Sequence, residues 1–304
     1  MRCEELIGIF PEILRDIVIE MNVDISHIRE IRVRADRPVL VMDGKREYIS
    51  KQVLQGIQVS QILAYLGNYS LYAYEDEIRR GFLSLPGGHR VGLAGRTVLE
   101  AGRIKTMTEI SSLNLRFAHE VKGCADGLED YLWEKGRLCS TLIVSAPGGG
   151  KTTLLRDCIR QISDGWGMHR GLTVGVVDER SEIAGSFHGV PGNDVGIRTD
   201  VLNECPKAQG MMMLIRSMAP KVVAVDEIGG REDLEAILAA VHCGCVMLAT
   251  VHGNSMEELL KKPVLREIVE AEIFERYIIL KTEEENKRLL EVLDDRGGVL
   301  CSRC

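Results

Sequence analysis

Nine consecutive residues have the types and spacing of a loop that binds phosphates. Residues 145–153 read Ser-Ala-Pro-Gly-Gly-Gly-Lys-Thr-Thr, after an apolar run at 141–144 and before a helical pattern at 154–162. A strand, a glycine-rich turn and a helix N-terminus that begins with Gly-Lys-Thr present backbone N–H groups to phosphates, and the lysine neutralises the outer ones. We therefore predict that this loop, called the cradle below, binds a nucleotide.

The positions of the cradle have different expected roles. Lys151 is expected at the outer phosphates and in catalysis, and Thr152 is expected to ligate Mg²⁺. Ser145 stands where the strict pattern has glycine, and so small a side chain still permits the tight turn. The cradle residues predicted to contact ATP are Ala146, Pro147, Gly148, Gly149, Gly150, Lys151, Thr152 and Thr153.

Two carboxylates follow another apolar run. Asp226 and Glu227 come directly after residues 222–225, which read Val-Val-Ala-Val, as in a Walker B strand. In nucleotide hydrolases such an aspartate binds Mg²⁺, and a neighbouring acid can orient or activate the attacking water. We therefore predict that Asp226 is a metal ligand and that Glu227 is the general base, which favours ATP hydrolysis over binding alone.

A second acidic pair follows the strand-like run at 173–177. Asp178 and Glu179 would either order water around the metal, with Glu179 in a catalytic role, or fix the nucleotide loop through Arg180. A local salt-bridge cluster at the strand end is the other interpretation, and the residues alone leave these alternatives open.

Polar residues also end the run at 246–251. The strand that follows a Walker B strand usually inserts beside the cradle strand, so its end faces the γ-phosphate. Thr250 or His252 is therefore placed to sense hydrolysis, although a single histidine is equally consistent with a structural role.

The elements that must position these residues alternate between strand and helix. Strand-like runs at 173–177, 222–225, 246–251 and 277–280 are separated by helical patterns that include 211–218 and 234–241. This alternation predicts an α/β domain with a mostly parallel sheet and its ligand at the carboxyl ends of the strands. We assign residues 136–304 to this P-loop ATPase domain; a short strand is possible at 289–293, and the final residues are expected to be mobile.

The N-terminal region has a different pattern. A helical spacing at 6–21 is followed by period-two segments around an Asp43-Gly44 hairpin, helical spacing at 52–80, and short strands at 82–85, 90–94, 97–99 and 103–107. We therefore predict an α+β domain at 1–135. Its arginines Arg90, Arg96 and Arg116 would contact phosphate or ribose, or reach a neighbouring subunit's site, or simply be solvated.

Composition excludes several protein classes. The 304 residues are 45% hydrophobic and 27% charged with a formal charge of -7, which argues against a protein that coats nucleic acid. No run is apolar enough for a signal peptide or membrane span, which favours the cytoplasm. Nine cysteines without a regular framework are expected to be reduced; the pairs Cys243/Cys245 and Cys301/Cys304 receive no metal assignment.

The motifs together resemble the secretion ATPases of type II, type IV and pilus-retraction systems. The cradle is followed in order by the acidic pair, a helix at 214–220, the Walker B pair, a histidine box at 250–255 and a strand at 274–280. Nearly the whole chain is more similar still to the stage III AA sporulation ATPases of spore-forming Firmicutes, through the blocks 30–38, 87–96, 110–116 and 177–185.

This resemblance implies a RecA-like ATPase that forms a homo-hexamer in the mother-cell cytoplasm and docks on membrane-embedded channel proteins linking mother cell and forespore. It also implies nucleotide or Mg²⁺ functions for the cradle, Glu179, the Walker B pair and His252, and an arginine supplied by the first domain. Secretion ATPases often lack the Walker B aspartate, whereas this chain keeps Asp226. Their tetracysteine element is absent here, so no zinc is implied.

Two rival functions remain open from the sequence. RecA-like cores also drive nucleic-acid-dependent ATPases, although no strong nucleic-acid signal is present. A nucleotide-regulated scaffold that does not turn over is the other alternative, because a sequence gives no rate.

Overall fold

The structure, a computed structural model, describes residues 8–118, 120–282 and 288–303. The chain divides into two compact units, Met1–Glu120 and Val121–Cys304. The sequence-based boundary lay between residues 135 and 136. The structure assigns residues 121–135 to the second unit, because Ala125, Leu128 and Leu132 are buried in that unit's core.

The first unit is an antiparallel sheet with helices packed on it. Its described helices are α1 (Glu12–Glu20), α2 (Gly56–Leu66) and α3 (Glu75–Arg80). Its described strands are β1 (Glu30–Arg34), β2 (Arg37–Met42), β3 (Glu47–Leu54), β4 (Phe82–Leu85), β5 (His89–Glu100) and β6 (Arg103–Arg116), in the order β3-β2-β1-β6-β5-β4. This confirms the predicted α+β class of the N-terminal region.

Alternation along the strands explains this packing. In β1, Ile31 and Val33 are buried and their neighbours only half-buried, so one sheet face forms the core with Leu14 of α1 and Ile62 of α2. The strands predicted at 90–94 and 97–99 are one strand, β5. One of the two irregularities in its pairing with β6 lies at Gly95, where a Cβ would lie 2.7 Å from the Ile110 Cα, so the backbones approach too closely for any side chain.

The second unit is built on an eight-stranded sheet. The helices described in it are α4 (Glu129–Leu132), α5 (Lys151–Asp164), α6 (Lys207–Met218), α7 (Arg231–His242), α8 (Met256–Lys261) and α9 (Pro263–Glu270). The strands are β7 (Trp133–Glu134), β8 (Arg137–Leu138), β9 (Thr141–Ser145), β10 (Gly165–Trp166), β11 (His169–Arg170), β12 (Val174–Asp178), β13 (Thr199–Asn203), β14 (Val222–Val225), β15 (Val246–His252), β16 (Arg276–Thr282), β17 (Arg288–Asp294) and β18 (Val299–Arg303). Strands β7 and β8 form one small hairpin and β10 and β11 another, each separate from the large sheet and built of two-residue strands.

The large sheet has the order β13-β12-β14-β15-β9-β16-β17-β18. Its pairs are parallel from β13 to β16, and every residue of β9, β12 and β14 is buried, as expected for a sheet covered on both faces. Strand β15 lies directly beside the cradle strand β9, with His252 paired to Ser145. The predicted position of the strand after Walker B is therefore confirmed.

The last part of the chain forms two strands, of which one was predicted. The possible strand at 289–293 is confirmed as β17, which pairs antiparallel with β16 and with β18. The prediction of mobile final residues is wrong for 299–303, because β18 pairs with β17, where Val292 is buried. No helix in the described part of the chain is long and apolar enough to cross a membrane.

Candidate nucleotide-binding site

The cradle joins strand β9 to helix α5. Ser145 ends the strand, Gly148 and Gly150 have φ values of +75° and +95°, and α5 starts at Lys151. Glycine adopts this left-handed conformation without the steric cost that a Cβ would impose. The turn therefore brings the N-terminus of α5, with its unpaired N–H groups and positive dipole end, to the carboxyl edge of the sheet.

The side chain of Ser145 occupies the space beside Gly149, so position 149 needs a glycine. Its fully buried hydroxyl donates to the Ala146 carbonyl at 3.0 Å. A Cβ added to Gly149 would lie only 2.0 Å from Ser145 Oγ, although the φ of Gly149 is not positive. The serine thus fills space that a side chain at 149 would otherwise use.

Asp226 connects the cradle to the neighbouring strands. Thr152 Oγ1 donates to Asp226 Oδ2 at 3.0 Å, and Thr250 Oγ1 donates to Asp226 Oδ1. The Glu227 backbone N–H donates to Thr250 Oγ1 at 2.9 Å. Buried Thr250 therefore joins both acids of the Walker B pair.

The oxygens of Thr152 and Asp226 suit Mg²⁺. Magnesium prefers hard oxygen ligands and is usually held by few protein groups in addition to phosphates and water. The two side chains that the sequence analysis predicted as metal ligands are in hydrogen-bond contact. They are therefore close enough to share one cation.

Glu227 is held from two sides. Its Oε1 lies 3.1 Å from His252 Nε2, and its Oε2 lies 3.1 Å from Arg180 Nη1. The residue has a φ of +48°, a conformation that costs energy in any residue with a Cβ and often marks functional sites. Its side chain is one-third exposed, so a water molecule can reach it.

His252 lies between the general-base candidate and the cradle lysine. Its Nε2 is 3.4 Å from Lys151 Nζ as well as 3.1 Å from Glu227 Oε1. A neutral imidazole nitrogen either donates or accepts. Nε2 can therefore donate to Glu227 or accept from Lys151, but it cannot do both.

Asp178 has a structural role at the end of β12. Its buried carboxylate accepts from the backbone N–H groups of Glu182 at 2.8 Å, Ile183 at 3.1 Å and Ala184 at 2.8 Å. Burial raises the pKa of Asp178, and the three N–H donors oppose that rise. Asp178 thus orders the loop at 179–184 in the described structure.

The loop at 179–184 is also tied to two helices. Glu179 Oε2 accepts from Lys207 Nζ of α6 at 2.6 Å, the salt-bridge alternative that the sequence left open. Arg156 of α5 donates to the carbonyls of Glu182 and Ile183. A catalytic role for Glu179 stays a prediction.

Arg156 and Lys207 were not among the predicted residues. Arg156 lies four positions after Thr152 on α5 and is buried, although it is charged. A basic residue on the helix face that packs inward is the signal that could have identified it. Nothing in the local sequence of Lys207 indicates its partner.

The N-terminal arginines lie on β5 and β6 of the first unit. Arg90 stacks over the Phe82 ring at 4.3 Å and is the cross-strand partner of Arg116. Arg96 Nη1 lies 3.4 Å from Glu109 Oε1. Their contact with a nucleotide stays a prediction.

The described cysteines do not form a reactive cluster at the cradle. Cys124 Sγ lies 3.6 Å from the Thr153 carbonyl, and burial raises its pKa to about 11, so it stays a thiol. Cys245 is buried and Cys243 exposed. Cys301 is half-buried, whereas Cys304 lies outside the described residues.

Solved structures share this fold. The chain aligns with the X-ray structure of the Legionella pneumophila ATPase DotB at a TM-score of 0.63 and 16% identity, covering 94% of this chain and 81% of that one. It aligns with the crystal structure of the pilus retraction motor PilT with bound ADP at a TM-score of 0.59 and 15% identity, covering 96% and 83%. The parallel sheet and these alignments show that the second unit has the RecA-like fold that was predicted.

Sequence comparison identifies the family. The chain is 41% identical over 298 residues to the Stage III sporulation protein AA of Bacillus subtilis (strain 168), covering 97% of this chain and 96% of that protein. The family described as sporulation stage III, protein AA matches residues 1–300. The chain therefore belongs to the sporulation stage III, protein AA family.

Proposed function

We propose that this protein is a Mg²⁺-dependent ATPase of the secretion-ATPase type. In this proposal it energises the assembly of, or transport through, a membrane channel complex between mother cell and forespore. The observation that carries the proposal is the contact set at the cradle, where Thr152 and Thr250 both donate to Asp226 and Thr250 also accepts the backbone N–H of Glu227. A cradle alone explains nucleotide binding, whereas a carboxylate beside it accounts for hydrolysis.

Each residue has a defined task in this mechanism. The cradle N–H groups and Lys151 bind the phosphates, and Lys151 leaves His252 when it turns to them. Thr152 and Asp226 hold Mg²⁺, which supplies charge stabilisation to the phosphates when bound. Glu227 accepts a proton from the attacking water.

His252 completes the arrangement around the general base. Once Lys151 contacts phosphate, Nε2 of His252 can keep its proton and donate to Glu227 Oε1. This hydrogen bond would fix the carboxylate opposite the γ-phosphate. His252 therefore links occupation of the cradle to the orientation of the base.

The role outside the site rests on the family and the fold. Membership of a sporulation family and the fold shared with DotB and PilT support a motor that acts on a membrane machine. We propose a homo-hexamer at the mother-cell membrane, in the cytoplasm, in which Arg90, Arg96 or Arg116 contributes to a nucleotide site. Work would come from nucleotide-driven domain movement.

Steady-state ATP hydrolysis tests the catalytic proposal. We expect Lys151→Ala to lose ATP binding and Glu227→Gln to bind ATP while its turnover falls by about 10²- to 10⁴-fold, the usual contribution of a general base. Removing Mg²⁺ with EDTA should abolish turnover. Glu235→Gln, an exposed carboxylate on α7, is the matched control and should keep the wild-type rate.

The same assay separates the rival functions. Hydrolysis by Glu227→Gln at the wild-type rate would refute the assigned mechanism. Several-fold stimulation by single-stranded nucleic acid, with a steep salt dependence, would favour a nucleic-acid-dependent ATPase. Stimulation by lipid vesicles instead would support work at a membrane.

A further inference from the structure

We infer that Arg180 is a positioning residue for the reaction and orients the carboxylate of Glu227. Arg180 lies in the acidic segment 178–182 at the end of β12. This inference rests on the proposed hydrolytic function and adds a residue to it. The contact that carries it joins Arg180 Nη1 to Glu227 Oε2 at 3.1 Å, across 47 positions of the chain.

The acids of this segment have other partners. Asp178 accepts the N–H groups of residues 182–184 with its carboxylate, and Glu179 pairs with Lys207 at 2.6 Å. Arg180 follows Asp178 and Glu179 in the chain, and its side chain contacts Glu227, the general-base candidate. Its charge therefore acts on the site through Glu227.

The loop that presents Arg180 is well anchored. Asp178 holds it at the strand end, Arg156 holds it to the cradle helix α5, and Lys207 holds it to α6. Ser181, directly after Arg180, has a φ of +51°, a conformation that persists only when surrounding contacts determine it. The backbone from which the Arg180 side chain extends is therefore held in place by the fold.

The two oxygens of Glu227 consequently have different surroundings. Oε2 faces Arg180, whereas Oε1 faces His252, which in turn contacts the cradle lysine. An ion pair on Oε2 fixes rotation of the carboxylate and leaves Oε1 on the cradle side, where the attacking water must be. An arginine with one planar guanidinium suits this task because it loses little entropy for each hydrogen bond it forms.

Steady-state kinetics on Arg180→Ala and Arg180→Lys test the inference. We expect kcat to fall about tenfold in Arg180→Ala, as for loss of one charge-assisted hydrogen bond, with KM nearly unchanged. Arg180→Lys should recover most of the rate. Removing Arg180 in a Glu227→Gln background should have little further effect, because Arg180 acts through that carboxylate.

Arg170→Ala is the matched control, since Arg170 is an exposed arginine on the β10/β11 hairpin at the far end of α5.

Circular dichroism melts and binding of a fluorescent ATP analogue establish that each variant is folded. An unchanged or faster kcat in Arg180→Ala would overturn the inference. So would a loss of kcat that Arg180→Lys does not restore. Absence of turnover in the wild-type protein would refute the proposed function, and this inference with it.

Discussion

Glu227 has a positive φ of 48° even though it carries a side chain. Such a conformation costs about 1–3 kcal/mol and persists only where neighbouring contacts impose it. Here the Glu227 N–H donates to Thr250, and both carboxylate oxygens have cationic or imidazole neighbours. The conformation of the general-base candidate is therefore held by contacts with β15 and with the loop at 179–184.

Ser145 and Gly149 form a second dependent pair at the residue scale. Because a Cβ at 149 would lie 2.0 Å from Ser145 Oγ, Gly149→Ala should weaken ATP binding at least about tenfold, as overpacking costs about 1–3 kcal/mol. Adding Ser145→Gly removes the hydroxyl and should restore most of the affinity. Titration with a fluorescent ATP analogue measures both effects.

Ser145→Gly alone is the control for this pair and should bind nearly as the wild type does. If the double variant binds no better than Gly149→Ala, the clash with Ser145 is not the reason that position 149 needs glycine.

At the scale of elements, a hydrogen-bonded ion pair ties the β7/β8 hairpin to the segment before β16. Arg137 Nη1 donates to Glu275 Oε2 at 2.9 Å, and the Ser140 N–H donates to the same oxygen at 3.1 Å. The hydrogen bond from Arg137 is the largest cause that lowers the pKa of Glu275 below 4.5. The hairpin is thus held by a carboxylate that must be ionised.

This pair predicts a pH dependence of stability. A carboxyl group whose pKa is lowered by folding adds stability above its unfolded pKa of 4.5, and that stability is lost as pH falls through the lower, folded-state pKa. Glu275→Gln should therefore lower the free energy of unfolding by about 1 kcal/mol at pH 7 and by less at pH 3. Urea unfolding at both pH values measures this difference.

Glu270→Gln, at an exposed position of α9, is the matched control and should change little at either pH. An equal loss of stability at pH 7 and pH 3 in Glu275→Gln would show that the ionised pair is not what holds the hairpin.

At the scale of the whole molecule, each unit has its own buried core. One cluster runs from Phe10 to Phe117 within the first unit. Two others lie on the opposite faces of the large sheet, with Leu142 and Val144 in one and Ile143 in the other. Cores of this kind allow a domain to fold by itself.

We therefore expect residues 121–304, expressed alone, to unfold cooperatively and to bind ATP, because the cradle and its contacts lie within this unit. Turnover should fall if an N-terminal arginine contributes to the site as proposed. Circular dichroism melts of the isolated unit measure its unfolding, nucleotide titration measures its ATP binding, and each is compared with the full chain. A gradual melt without a transition would contradict the independence of the two cores.

The sequence by itself determined the cradle, the Walker B pair and the α/β class. These depend on short successions of residues: a strand, a glycine turn and a helix N-terminus for the cradle, and an apolar run that ends in Asp226 and Glu227. Alternating strand and helix patterns were sufficient for the parallel sheet. The boundary at 135 and the expected mobile end differed from the structure, since burial of Leu132 and pairing of β18 depend on distant residues.

Only the tertiary structure decided which side chains meet at the site. Thr250 reaches Asp226 across 24 positions, and Arg180 reaches Glu227 across 47. These contacts follow from the order and register of β12, β14, β15 and β9. Buried strands of a parallel sheet lack the alternation of polar and apolar residues from which strand order or register could be predicted. For the same reason, the sequence could name Arg180 and Glu179 as neighbours in the chain but could not tell that one binds Glu227 and the other Lys207.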